Sequence, residues 1–448
     1  MSDYIFMLES HLSAEQNRVV AQVQAAAAEA RVNLFLTGGA IRDMLAGHRI
    51  RDLDFTVEGD ALAVARALLS DKAVKSLAQD SVRQAAELLF PGQVRASVSM
   101  ARREEYARPG AQPRVTPATI HEDLRGRDFT FNAIALSLNR ASLGLMLDPN
   151  NGMADLEHRE IRAVHNRIFH DDPARLLRLV RFRVRLGCTV EPKTQGQYEN
   201  ARLEELEKRI PARRLFEELR EIAEEQNPAE ILRLLEEERL LALVSPALTG
   251  AKLNLSAIAR WQKARELIPF SVELPVNHLA LLLYFLTEKL TPKERAALIK
   301  ATAMHKAEVE LWERLPAETK ALERQLRSPK LHKASEVYQL LSTARGEHIL
   351  FLYLRSQHRL VHDRIRNYLQ KYLPAAQEVT ERDVSAAAGA EPGSAKFQKR
   401  KEQMIAERLD GRVRKPKPEP ESAPSPVEAV KSESPAARRS RTSGTGRA

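Results

Sequence analysis

At 448 residues the chain exceeds one ordinary domain and predicts two to four packed units plus any tail. An apolar content of 43% excludes wholesale disorder, and 5% aromatics suits a helical protein built from Leu and Ala better than a β-sandwich. A net charge of +10 favours a polyanionic partner, nucleic acid or anionic membrane, without choosing between them.

Residues 11–31 are rich in Ala and Gln at helical spacing. Val32 to Leu36 then reads as a strand, broken by Thr37-Gly38-Gly39, and Ala40 to Leu45 as a short helix. Leu53 to Val57 is expected as a second strand, Asp60 to Leu69 and Asp71 to Leu77 as helices, and Val94 to Met100 as a further strand. This interleaving predicts an α/β unit over the first 150 residues. The turn cluster Asp148-Pro149-Asn150-Asn151-Gly152 ends it. From Pro173 to Pro374 the pattern is helical, with Ala229 to Leu243, Lys293 to Ala303 and His348 to Leu373 as examples, in two packed bundles. From Arg412 onward Pro, Ser, Lys, Arg and Glu follow without periodicity, which predicts a disordered tail.

The single cysteine, Cys188, excludes an intramolecular disulfide and a Cys-based zinc cluster, and reads as a small buried apolar group. The N-terminus shows no basic-then-apolar leader, and no apolar run nears the ~20 residues of a membrane span. A cytoplasmic protein without membrane partner is therefore expected. His362-Asp363 has no companion His or Asp residues of the kind a metal phosphohydrolase needs, and reads as an exposed helix feature.

The chemistry concentrates in Leu36-Thr37-Gly38-Gly39-Ala40-Ile41-Arg42-Asp43 and Arg51-Asp52-Leu53-Asp54-Phe55. Two glycines between strand and helix let backbone N–H groups approach a triphosphate, and the helix N-terminus favours its charge. Arg42 can add a fork of donors. Asp52 and Asp54, two apart on a strand, present both carboxylates on one face, as oxygen ligands for hard cations such as Mg²⁺. Each element alone is weak; together, in this order, they point to phosphoryl transfer.

Gly-Gly-x-x-Arg-Asp followed by Asp-x-Asp resembles the class II CCA-adding tRNA nucleotidyltransferase and bacterial poly(A) polymerase family. The resemblance continues in Ala101-Arg102-Arg103-Glu104-Glu105-Tyr106, in Asp123-Leu124-Arg125-Gly126-Arg127-Asp128-Phe129-Thr130-Phe131-Asn132-Ala133 and in Asp171-Asp172-Pro173-Ala174-Arg175-Leu176-Leu177-Arg178-Leu179-Val180-Arg181-Phe182. It covers residues 32–412. The implied fold is α+β: a polymerase-β-like head with a small mixed sheet and helices, an elongated all-α body and a disordered C-terminal tail. The implied division is head 1–150, a helical nucleotide-selecting and RNA-binding part 151–250, a helical body 251–412 and a basic tail 413–448.

The implied activity adds C and/or A from CTP and ATP to the 3′ end of tRNA or another RNA by two-metal phosphoryl transfer. Asp52 and Asp54 hold the Mg²⁺ ions, pyrophosphate leaves, and no obligatory protein partner is implied. Poly(A) polymerase is the adjacent alternative, and a non-catalytic RNA-binding homologue the third. Nucleotide binding falls to Gly38, Gly39, Arg42, Arg127, Asp128, Asp172, Arg175, Arg178 and Arg181.

Asp172 and Arg175 lie three apart at a helix start. A carboxylate accepts from an exocyclic amine and a guanidinium donates to a ring acceptor, so the pair can admit A and C and reject G and U. In the family this pair serves as a protein template; a helix-start Asp in an i,i+3 ion pair is the plainer reading. Arg178 and Arg181 extend an arginine stripe, read either as a solvated face or, by the resemblance, as groups near the nucleotide. Arg127 and Asp128 are expected at phosphate and ribose 2′-OH.

Two positions depart from the family pattern. Gly126 replaces one of two arginines, and Ser97 stands where many members carry an acid, four residues before Ala101. Glu104 and Asp43 are candidates to compensate for the missing acid.

Overall fold

The computed structural model describes residues 3–269 and 272–411. Two helices, α1 (Asp3–His11) and α2 (Ala14–Glu29), precede the first strand. The break between them is set by Ser13, whose hydroxyl accepts from the Gln16 N–H while the Gln16 side chain returns the bond, a capping box. The chain continues through β1 (Asn33–Thr37), α3 (Gly39–Leu45), β2 (Leu53–Glu58), α4 (Ala61–Leu68), β3 (Lys75–Asp80), β4 (Ala85–Phe90) and β5 (Val94–Met100). A hairpin, β6 (Arg102–Glu105) and β7 (Arg114–Pro117), leads to α5 (Ile120–Arg125), β8 (Ala135–Ser137) and β9 (Met146–Leu147).

Seven of these strands form one mixed sheet in the order β3-β4-β5-β2-β1-β8-β9, in which only β2 and β5 run parallel. One face buries Leu34, Leu36, Phe55, Val57, Leu88 and Val98 against α2 and α4. Apolar residues at alternate positions fix that face, so Thr37, Asp54, Thr56, Ser97 and Ser99 project from the other.

The segment Asp71 to Leu77, expected as a helix, instead leads into β3, an exposed edge strand paired antiparallel with β4. Lys, Ser, Ala and Leu there carry no strand preference of their own; pairing with β4 supplies it.

The helical part begins with α6 (Gly152–Glu157), β10 (Glu160–Ile161), α7 (Ile168–Asp171), α8 (Arg175–Leu186), β11 (Thr189–Val190), α9 (Pro192–Leu203), α10 (Ala212–Glu224) and α11 (Pro228–Glu237). A continuous apolar cluster runs from Leu177 to Leu373, and a smaller one joins Ala376 to Ile405. The expected long helix from His348 to Leu373 is interrupted: helices Gly346–Arg355 and Arg359–Asn367 are separated by an extended Ser356, whose carbonyl meets His362 Nε2 at 2.7 Å. Asp363 is half exposed beside Arg359 and Arg366, whereas His362 is half-buried against Tyr353, so only the aspartate of the dipeptide meets the expectation of an exposed feature. Cys188 is buried, and burial pushes its thiol up. The expected disordered tail lies outside the described residues. Among the described residues no helix is long and apolar enough to cross a membrane.

Candidate nucleotidyltransferase site

The diglycine bend is built by Gly38 at φ +64 and ψ −124, a combination outside the left-handed helical region and one that only glycine adopts without strain. A Cβ at Gly38 would lie 3.2 Å from Arg127 Nη1 and 3.9 Å from Asp54 Oδ2; one at Gly39 would lie 3.5 Å from Arg42 Nη2 and 3.7 Å from the same Asp54 oxygen. Strand, bend, carboxylate and two guanidiniums therefore meet at one point.

Asp54 is central to that point. Its strand neighbour across the parallel β2–β5 pair is Ser97, whose Oγ donates to Asp54 Oδ1 at 2.8 Å. Burial raises the Asp54 carboxyl, with Ser97 and Arg127 pulling the other way. Asp52 lies one residue before β2 instead of on it, at an exposed bend. Although its side chain meets solvent, the protein packed around it, then the charges of Asp54 and Glu221, push it up to about 7. Burial is thus the first cause of both shifts, and the repulsion between neighbouring acids adds to it at Asp52.

Arg127 is fixed above the bend, donating to Asp123 Oδ2 at 2.9 Å, to the Asn132 carbonyl at 3.3 Å and to the hydroxyls of Thr37 and Thr56, each at 3.2 Å. Arg42 is buried: it donates to Asp43 Oδ1 at 2.9 Å and Asn132 Oδ1 at 2.7 Å, and its guanidinium lies 5.1 Å from the Phe182 ring centre. Asp128 accepts from Arg178 at 2.7 Å, from the Phe129 N–H at 2.7 Å and from Asn132 at 3.1 Å, and Arg178 first, then Arg175, hold its carboxyl well below the usual range.

The arginine stripe of α8 is not a solvated face. Arg178 bridges Asp128 to Glu218, and the buried Arg181 reaches Glu218 at 3.3 Å and Glu225 at 2.8 Å. Arg185 joins Glu225 to Asp43 on α3 at 2.7 Å. This chain of ion pairs links the element after the bend to α10.

Asp172 and Arg175 lie at the α7–α8 junction, where the Arg175 N–H donates to the Asp172 carbonyl at 3.0 Å, but their side chains do not hydrogen-bond to each other. Asp172 accepts from Arg214 of α10 at 2.5 Å and from the Ala174 N–H at 3.2 Å. Arg175 is 8% exposed, donates Nη1 to the Ile168 carbonyl at 3.3 Å, and its Nε has no partner. Neither compensating candidate for position 97 is available: Asp43 is held by Arg42 and Arg185, and Glu104 by Arg102 and Arg83, which bring it down to about 2. Among the described residues no group of three acidic, His or Cys side chains is arranged to hold a metal ion.

Sequence reasoning missed Thr37, Thr56, Asp123, Asn132, Arg214, Glu218 and Glu225. Asp123 had a local signal, one helical turn before Arg127. Arg214 and Glu218 of α10, and Glu225 just after it, had none, since they stand 37 to 44 positions from their partners Asp172, Arg178 and Arg181.

Residues 34–162 match the family described as the Poly A polymerase head domain. The A-adding tRNA nucleotidyltransferase of Aquifex aeolicus is 30% identical over 341 residues, 75% of this chain and 40% of that protein. The CC-adding tRNA nucleotidyltransferase of Deinococcus radiodurans is 36% identical over 209 residues, 45% of this chain and 53% of that protein. This chain thus spans only about half or less of these relatives. A solved tRNA nucleotidyltransferase, complexed with a primer tRNA and an incoming ATP analog, is 28% identical with a TM-score of 0.50 over 78% of this chain and 98% of its own. The mixed sheet is a polymerase-β-like head and the remainder its helical body. By these matches residues 34–162 carry the Poly A polymerase head domain, and the chain is similar to tRNA nucleotidyltransferases that add A or CC.

Proposed function

We propose that the protein is a nucleotidyltransferase that adds C and/or A from CTP and ATP to the 3′ end of RNA, with tRNA as substrate. The observation that carries this reading is the convergence of Asp54, the diglycine bend, Arg42 and Arg127 within a few ångströms. The donor set fits Mg²⁺: hard carboxylate oxygens from Asp52 and Asp54, both raised by burial and Asp52 also by its neighbour's charge, beside backbone that a triphosphate can approach. When bound there, Mg²⁺ supplies the charge neutralisation that attack of a 3′-OH on the α-phosphorus requires.

The chain's own residues provide the rest. Gly38 and Gly39 leave room for phosphate oxygens, and Arg127, braced by Asp123, directs positive charge at the same space. Arg42, turned inward to Asp43 and Asn132, orients the bend. Asp128 faces the ribose, Asp172 and Arg175 read the base edge, and Arg178 holds Asp128 while sharing Glu218 with Arg181. Residues 1–150 act as the head, 151–250 as the selecting part and 251–412 as the body that grips RNA.

The test is incubation of the protein and Mg²⁺ with tRNA ending before CCA, with CC and with CCA, each NTP supplied separately. Addition that stops after A supports the tRNA reading. Unlimited A addition indicates a poly(A) polymerase, and RNA binding with no incorporation indicates a non-catalytic homologue. In the same assay Arg175→Ala is expected to lower A and C addition or admit G and U. Unchanged rates and base preference would remove it from the base site.

Ser97 gives a second handle on the metal. Adding a carboxylate beside Asp54 supplies a third hard ligand. Ser97→Asp is expected to lower the Mg²⁺ concentration for half-maximal incorporation several-fold, measured by titration. An unaltered requirement would place the ion elsewhere.

A further inference from the structure

The α10 helix enters the base-selecting corner through one side chain. Arg214 Nη2 donates to Asp172 Oδ2 at 2.5 Å, while its Nη1 is held by Glu217 Oε2 at 2.5 Å, so the guanidinium is anchored from both ends. The other Asp172 oxygen accepts from the Ala174 N–H. Across the same corner Arg175 is nine-tenths buried with its Nε unpartnered, a donor awaiting an acceptor.

We propose that Arg214 is a specificity-positioning residue: it pins the plane of the Asp172 carboxylate, so that Asp172 offers only acceptor lone pairs to the incoming base while Arg175 supplies the donor. This rests on the reading of Asp172 and Arg175 as the base-selecting pair and extends it to a residue of the helical part.

The physical ground is the softness of a free carboxylate. Rotation about the Asp Cβ–Cγ bond is broad and roughly two-fold, so a carboxylate held at one oxygen can swing away from its acceptor geometry. Held at both oxygens it cannot. A pinned, ionised carboxylate meets an amine on A or C favourably and a carbonyl on G or U unfavourably. Arg214 first, then Arg175 and Arg178, also bring the Asp172 carboxyl down to about 2 against the opposing effect of burial, so the protonated form that could donate to a carbonyl of G or U is suppressed. A charge-assisted fork is suited to this fixed geometry, where a lysine would give one mobile contact.

The experiment compares the full chain with R214A, R214Q, R214K and D172A, measuring kcat and KM for each of the four NTPs and for primer RNA. R214A is expected to narrow the preference for ATP and CTP over GTP and UTP about tenfold, the loss of one good contact in base readout. The RNA KM should stay within about two-fold, and R214K should recover part of the discrimination. R214Q carries the comparison if R214A does not fold. A uniform fall for all four nucleotides in R214A and R214Q, or unchanged discrimination where D172A alters it, overturns the proposal. Unchanged discrimination in D172A overturns the base-selecting pair itself.

Discussion

Asp54→Ala is expected to lower nucleotide incorporation by about 10³-fold or more while leaving RNA affinity within a few-fold. Removing one ligand from a site that must neutralise a reacting triphosphate takes away several kcal/mol of transition-state stabilisation, and every ~1.4 kcal/mol is a factor of ten. Asp54→Asn should fall nearly as far, because an amide keeps the shape and loses the charge. The fold should not suffer in the asparagine variant. Burial raises the Asp54 carboxyl, so its ionised form is disfavoured in the folded chain, and neutralising it relieves that cost. Single-turnover incorporation at saturating Mg²⁺, paired with a melting curve, reads both halves. Full activity in either variant would remove Asp54 from the metal site, and a large drop in melting temperature for Asp54→Asn would make its role structural.

What the sequence disclosed about this site follows from how local each signal is. The bend and its acids were legible because Thr37 to Asp54 are neighbours in chain and space, and glycines, a following short helix and an apolar β2 leave few alternatives. Counting back from Ala101 singled out Ser97, which lies beside Asp54 on the adjoining parallel strand. The α8 stripe was legible as a period but not as an environment. Spacing of three placed Arg175, Arg178 and Arg181 on one side of a helix, yet whether that side meets water or carboxylates depends on α10. Asp172 shows the same limit, since its i+3 neighbour was the obvious partner and Arg214 the actual one. The β3 edge failed for a different reason: its residues have no strong preference, and only β4 makes them a strand.

The carboxylate that joins the two halves of the molecule carries the largest expected stability effect. Glu225 is 3% exposed and meets Arg181 at 2.8 Å, Arg185 at 3.2 Å and Arg51, two residues before β2, at 3.8 Å. Glu225→Ala leaves Arg181 and Arg185 buried with one counter-charge fewer, and breaking a buried pair from one side costs about 3–5 kcal/mol. At roughly 2–4 °C per kcal/mol for domains of 150–250 residues, a fall of about 10 °C in melting temperature is expected. The same loss loosens Arg185 and, through it, Asp43 beside the bend, so the KM for nucleotide should rise in enzyme that remains folded at low temperature. Replacing Arg181 and Glu225 together by methionines should cost less than Glu225→Ala, because the unpaired charge and not the missing pair dominates the penalty. Differential scanning calorimetry of the three proteins decides this. A Glu225→Ala shift under about 2 °C would mean that water reaches the two arginines, and the ion chain would then join the halves without stabilising them.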